Sequence, residues 1–130
     1  MDAPQVKLVM IIDDNEIDNL INRKILQNNK FAEEIQVFES ALLALECLKT
    51  YTQFPQIIFV DVKMPEMDGF QFLNEYELFD ESLKNTCKIF MVSSTVDPDD
   101  LQQINSNKNV TKLISKPLTN ISLKELNLHS

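Results

Sequence analysis

The 130 residues, 44% of them hydrophobic, suit a single domain over residues 1–130 with one core and leave little for a second. A formal charge of -8 and a pI near 4.5 argue against a nucleic-acid partner held by its phosphates, and fit a metal ion or a protein with a positive face. The longest apolar run, Leu8 to Ile12, is far short of the roughly 20 residues of a membrane span, and Met1 to Pro4 is not a signal peptide, so the expected setting is the cytoplasm with no membrane partner.

Val6 to Ile12 is apolar apart from Lys7 and reads as a central parallel strand, ending in Asp13-Asp14. In the following NEIDNLINRKILQNN, Ile17, Leu20, Ile21 and Ile25 recur at helical spacing, with Lys24 along the edge. This predicts a helix burying that stripe. Asp14 or Asn15 can cap it, Glu16 and Asp18 suit its positive end, and Asn28-Asn29 stops it. Glu34 to Phe38 alternates as a short edge strand. Ser40 can cap a second helix with the stripe Ala41, Ala44 or Leu45, and Leu48.

Ile57 to Val60 is a buried strand ending in Asp61, followed by Met64-Pro65 and Asp68-Gly69 as turn chemistry. Gly69 is the only glycine, which removes the glycine-rich phosphate loops from consideration. FQFLNEYELFDES then predicts one helix with the ridge Phe72, Tyr76 and Phe79, widened by Phe70 and Leu73. Ile89 to Val92 is the next strand and ends in Ser93-Ser94. Asp97-Pro98-Asp99-Asp100 has the form of a helix start, for a short polar, loosely held helix to about Ser106 whose inner side is marked by Leu101, Ile104 and Val110. Val110 to Ile114 is the last strand, followed by Ser115-Lys116-Pro117. Ser122 and Glu125 fit a capping box for a final helix with Ile121, Leu123, Leu126 and Leu128 available for its inner side. Cys47 and Cys87, far apart in apolar settings, read as free buried thiols.

Five strands alternating with five helices imply right-handed crossovers and a parallel sheet. Parallel strands present their carboxyl ends on one rim, so Asp13-Asp14, Asp61, Ser93-Ser94 and Lys116-Pro117 are expected to converge. Crowded carboxylates repel and raise one another's pKa, and a hard divalent cation with oxygen ligands is the plainest remedy. Mg2+ fits an open site of few carboxylates. A carboxylate beside a metal and a lysine stays ionised and is a candidate nucleophile, Lys116 is a point charge for a transferred anionic group, and the Ser93 hydroxyl is a hydrogen-bond donor to it. These parts suit phosphoryl transfer.

On these residues the chain, from about Gln5 to Leu126, resembles the receiver domain of two-component response regulators. The resemblance implies a doubly wound five-stranded parallel sheet of order 2-1-3-4-5, a flavodoxin-like three-layer α/β sandwich. It implies Asp61 as phosphoacceptor, with the phosphoryl group coming from a sensor histidine kinase, a phosphotransfer protein or a small phosphodonor. Asp14, Asp61 and the backbone carbonyl of Lys63 would ligate Mg2+, and Asp13 would act mostly through a metal-bound water. Lys116 would pair with the aspartyl phosphate, Ser93 would be the switch hydroxyl, and Ser94 would lie beside it at the phosphate. Pro65 and Gly69 would shape the loop, and Pro117 would form a cis bond with Lys116.

The output surface implied is the helix after the fourth strand, the fifth strand and the last helix, where Leu101, Lys112 and Ile121 fall, and a downstream protein would bind there. Leu113 stands where an aromatic often rotates with the switch, so a tyrosine-coupled switch is not expected. Lys63 and Thr95 occupy positions that tune dephosphorylation. Slow self-dephosphorylation is expected and metabolic activity is not. A chain ending here would be a stand-alone receiver that binds a partner or relays phosphate onward. The alternative is a receiver-like interaction module that is never phosphorylated; a lost acid or lysine would mark it, and none is lost. A small Mg2+-dependent phosphohydrolase should carry a second acid just after the nucleophile, where this chain has Lys63.

Overall fold

The computed structural model describes residues 6–95 and 97–126. Five strands, β1 (Val6–Ile12), β2 (Ala32–Phe38), β3 (Ile57–Asp61), β4 (Lys88–Ser93) and β5 (Val110–Ser115), form one parallel sheet in the order β2-β1-β3-β4-β5. The helices are α1 (Glu16–Asn28), α2 (Ala41–Leu48), α3 (Gly69–Tyr76), α4 (Glu81–Lys84), α5 (Pro98–Ser106) and α6 (Asn120–Lys124). The strand order is the one expected, and β2 is an edge.

Alternation along the strands builds two cores. Met10, Ile12, Ile58, Val60, Ile89 and Met91 face α2 and α3 on one side. Val9, Ile11, Ile57, Phe59, Phe90 and Val92 face Leu26 of α1 and Leu123 of α6 on the other. Strands buried on both faces need continuous apolar sequence, and this is why β1, β3 and β4 read as such in the chain. Ala41, Ala44, Leu45 and Leu48 of α2 are buried as their spacing predicts.

Five expectations are corrected. α1 does not bury the Ile17, Leu20, Ile21 stripe: these are 68%, 58% and 40% exposed, and Lys24 is exposed too. The buried residues are Asn19, Asn22 and Leu26, because both asparagine side chains bond backbone in neighbouring loops. Asn19 donates Nδ2 to the Asp13 carbonyl at 2.8 Å, and Asn22 Oδ1 accepts from the Leu118 amide at 3.0 Å. Hydrogen-bonded buried amides outrank apolar periodicity here. Secondly, the single helix expected after Gly69 is two, since α3 stops at Tyr76 and Asp80 starts the short α4, giving six helices among the described residues. The break is held by Glu77, whose carboxylate takes Lys84 at 3.2 Å, Lys108 at 2.8 Å and Asn109 at 2.6 Å.

Thirdly, α6 is capped by Thr119 with Ser122 as its reciprocal partner, not by Ser122 with Glu125. Ile121 is 68% exposed while Leu123 and Leu126 are buried, and Leu128 lies outside the described residues. Fourthly, Leu101 of α5 is exposed and Ile104 alone of that helix is buried. The Asp97 cap and Pro98 start are as predicted. Cys47 and Cys87 are free thiols, each half-buried rather than buried.

Candidate functional site

The β1–β3 register pairs Ile12 with Val60, so the next residues, Asp13 and Asp61, leave the sheet side by side. Ser93 pairs with Ser115 at the end of β4 and β5, and the Lys116 amide donates to the Ser93 carbonyl at 3.0 Å. Four strand ends thus meet on one rim. Asp13, Asp61 and Ser93 are buried, and Asp14 and Ser94 are exposed.

Asp13, Asp14 and Asp61 each offer a carboxylate oxygen, all within 4.8 Å of one another. Lys116 Nζ lies 3.1 Å from Asp13 Oδ2 and 3.1 Å from Asp61 Oδ2, so one ammonium bridges the two buried acids. Burial pushes the Asp13 carboxyl up to about 6, aided by the Asp61 charge and opposed by the Asn15 amide and by Lys116. Burial lowers the Lys116 pKa, but its bonds to Asp18 and Asp61 and the charges of Asp13 and Asp61 outweigh that and raise it, so the ammonium stays charged.

The loop after Asp61 is tied at its base by the Gly69 amide donating to the Val62 carbonyl at 3.0 Å. Within it Met67 N donates to the Pro65 carbonyl at 2.7 Å, and Glu66 sits at φ 67, a left-handed conformation uncommon for a side-chain-bearing residue. Gly69 has an ordinary φ; it is required for close approach, because a Cβ there would lie 2.6 Å from the Asp61 carbonyl oxygen and 2.6 Å from Met91 Cε. Asp68 caps α3 in a reciprocal box with Gln71. The Lys116–Pro117 bond is cis. Lys63 turns its ammonium away from the acids, 3.9 Å from Asp100 Oδ2, and its amide is 3.4 Å from Asp61 Oδ1. The Ser93 hydroxyl donates to the Thr95 carbonyl at 2.5 Å.

The response regulator receiver domain family matches residues 9–127. The chain belongs to this family. A solved two-component response regulator from Cytophaga hutchinsonii is 30% identical with a TM-score of 0.86, covering 94% of each chain. A sensor histidine kinase, CheAY, from Helicobacter pylori is 31% identical over 88% of this chain, and the chemotaxis protein CheY from Halobacterium salinarum is 29% identical over 57% of it. The chain spans 14% and 58% of the lengths of those two relatives. The family is one of two-component signalling, whose receiver domains interact with histidine kinases and downstream targets. Among the described residues no helix is long and apolar enough to cross a membrane.

Three residues of the receiver's rim were missed as site residues. By sequence Asp18 is an acid that suits the α1 dipole, yet it lies 2.7 Å from Lys116 Nζ, nearer than either of the other two carboxylates. The signal available was position: the first turn of a helix that starts directly after Asp13-Asp14 must pass over the rim. Asn19 and Asn22 carried a signal too, since with Leu26 they make their own helical stripe, and amides on an inner face point to backbone partners.

Proposed function

We propose that Asp61 is a phosphoacceptor which takes a phosphoryl group from the phosphohistidine of a sensor histidine kinase or phosphotransfer protein, and that the charged form changes binding to a downstream protein or passes the group onward. An Asp61 carboxylate oxygen attacks phosphorus, the O–P bond forms as the P–N bond breaks, and the electron pair leaves with the imidazole nitrogen. The observation that carries this reading is the Lys116 ammonium 3.1 Å from both Asp13 and Asp61, placing a fixed cation where charge on the moving group must be met.

The donor set fits Mg2+, being oxygen-only, anionic and partly open at Asp14. Asp13, Asp14, Asp61 and the carbonyl of Lys63 would hold it. When bound it supplies positive charge to the phosphoryl oxygens. Lys116 holds Asp61 in orientation through its 3.1 Å contact with Oδ2. Ser93 would turn from the Thr95 carbonyl to a phosphoryl oxygen, with Ser94 beside it, and draw the segment before α5 along. α5 contributes only Ile104 to the core, which fits an element of low local stability. Leu101, Lys112 and Ile121 are all exposed and would form the output surface.

The donor would dock over α1, where the exposed Ile17, Leu20 and Ile21 adjoin a groove shared with Arg23 and Val37, beside Asp14. Apolar side chains at that density, next to the acidic rim, fit a partner's helical face.

The test is intact mass after incubation with acetyl phosphate or phosphoramidate, with and without Mg2+. One phosphoryl group is expected on the wild type, only with Mg2+, and none on Asp61→Asn. No adduct, together with no binding of beryllofluoride, would leave the protein a docking module that works unphosphorylated.

A further inference from the structure

Lys116 has three N–H donors, and three different carboxylates take them: Asp18 at 2.7 Å, Asp13 at 3.1 Å and Asp61 at 3.1 Å. Asp18 stands apart from the other two. It is outside the acidic trio whose oxygens cluster, and it belongs to the first turn of α1. Its backbone is fixed there by the Asn15 cap, which accepts from the Asp18 amide at 2.9 Å, while the Asn15 amide donates to Asp13 Oδ1 at 2.9 Å. Its side chain is 30% exposed, against 3% for Asp13 and 8% for Asp61.

We propose that Asp18 is a positioning residue that holds one donor of the Lys116 ammonium in the unphosphorylated protein and surrenders it to the phosphoryl group arriving on Asp61. The inference rests on the phosphoacceptor reading and adds a residue that opposes phosphorylation. A phosphoryl group brings acceptor oxygens that need the ammonium, and no N–H of Lys116 is free to meet them. One existing bond must be given up. Phosphorylation consumes the Asp61 carboxylate, so the N–H it held passes to one phosphoryl oxygen, and a second oxygen must draw on Asp13 or Asp18. Releasing Asp13 strands a buried carboxylate, whereas Asp18 is open enough to be taken up by water. The exchange therefore falls on Asp18, whose bond stabilises the resting state and is absent from the phosphorylated one. Its negative charge also opposes the incoming anion. Both effects have the same sign.

The experiment compares wild type, Asp18→Asn, Asp18→Glu and Glu16→Gln for beryllofluoride affinity in Mg2+, by fluorine NMR titration. Asp18→Asn is expected to bind about tenfold more tightly, the worth of one charge-assisted hydrogen bond. Asp18→Glu is expected to return toward wild type. Glu16→Gln, which removes a charge from the same helical turn without a bond to Lys116, is expected to stay within about twofold. In the metal-free proteins, the Lys116 ammonium protons are expected to exchange with water several-fold faster in Asp18→Asn than in wild type.

Equal or weaker affinity in Asp18→Asn, an equal gain in Glu16→Gln, or unchanged ammonium exchange would each overturn the proposal. A folded wild type that takes up neither beryllofluoride nor phosphate overturns the phosphoacceptor reading itself, and this inference with it.

Discussion

Gly69→Ala is expected to cost about 3 kcal/mol of stability. Helix propensity alone predicts the opposite sign: Gly69 is the first residue of α3, and alanine is favoured over glycine in a helix by up to about 1 kcal/mol. The steric term decides. The added Cβ would stand 2.6 Å from the Asp61 carbonyl oxygen, 2.6 Å from Met91 Cε and 3.1 Å from Val62 Cα. Met91 can swing its terminal methyl aside, but it is fully buried and has little space to swing into. The two backbone atoms cannot yield without moving the end of β3, which also carries the proposed phosphoacceptor. Urea unfolding should show the midpoint fall at an unchanged slope. A loss below 1 kcal/mol would mean that the loop from Val62 to Gly69 relaxes freely, and the argument from close approach would fail.

The second large effect is electrostatic. Metal-free Asp13→Asn is expected to be more stable than metal-free wild type at pH 8, by about 2 kcal/mol, with the gap closing below about pH 4. The Asp13 carboxyl is raised by burial and by the Asp61 charge to about 6, above its ordinary value of 3.8. The folded protein therefore binds more protons than the unfolded chain between those values. Asp13's contribution is most favourable below about pH 4 and is lost as pH rises through about 6. Asparagine carries no such charge. Its carbonyl can still accept the bond that Asp13 takes from the Asn15 amide. Thermal or urea unfolding of both proteins across pH 4 to 8, in chelator, measures this. Parallel curves would sink it. Adding Mg2+ should stabilise the wild type by mass action and the variant much less, since the proposed cation site loses one of its acids.

How legible all this was in the chain depended on what each residue type must do. β1, β3 and β4 declared themselves because strands covered on both faces cannot afford polar side chains, and the acids that end them stood out against that background. The Asp97-Pro98 start of α5 and the Ser40 cap of α2 were equally plain, since capping is a local transaction between neighbours. α1 was misread because its periodicity is real but faces outward. Hydrophobic spacing reports that a helix has an apolar side, and only tertiary contacts say which way that side points. Asn19 and Asn22 turn the helix, through bonds to Asp13 and Leu118 that are 6 and 96 residues distant in sequence. The break between α3 and α4 was hidden for a similar reason, because Glu77 is held by Lys108 and Asn109 from the far side of β4. In the site, spacing gathered Asp13, Asp14, Asp61, Ser93 and Lys116 at one rim. Asp18 had only its place in the first turn of α1 to point to the rim, since its meeting with Lys116 spans 98 residues.

The two asparagines of α1 have a practical consequence. They work as an index pin: the helix cannot roll to hide its isoleucines without stripping hydrogen bonds from the turn that carries Asp13 and from the loop that follows Pro117. Ile17, Leu20 and Ile21 thus hang from a fixed rail, exposed while Asn19 and Asn22 are buried. On the proposed docking over α1, randomising those three positions would change the partner without altering Asp13, Asp14, Asp61 or Lys116.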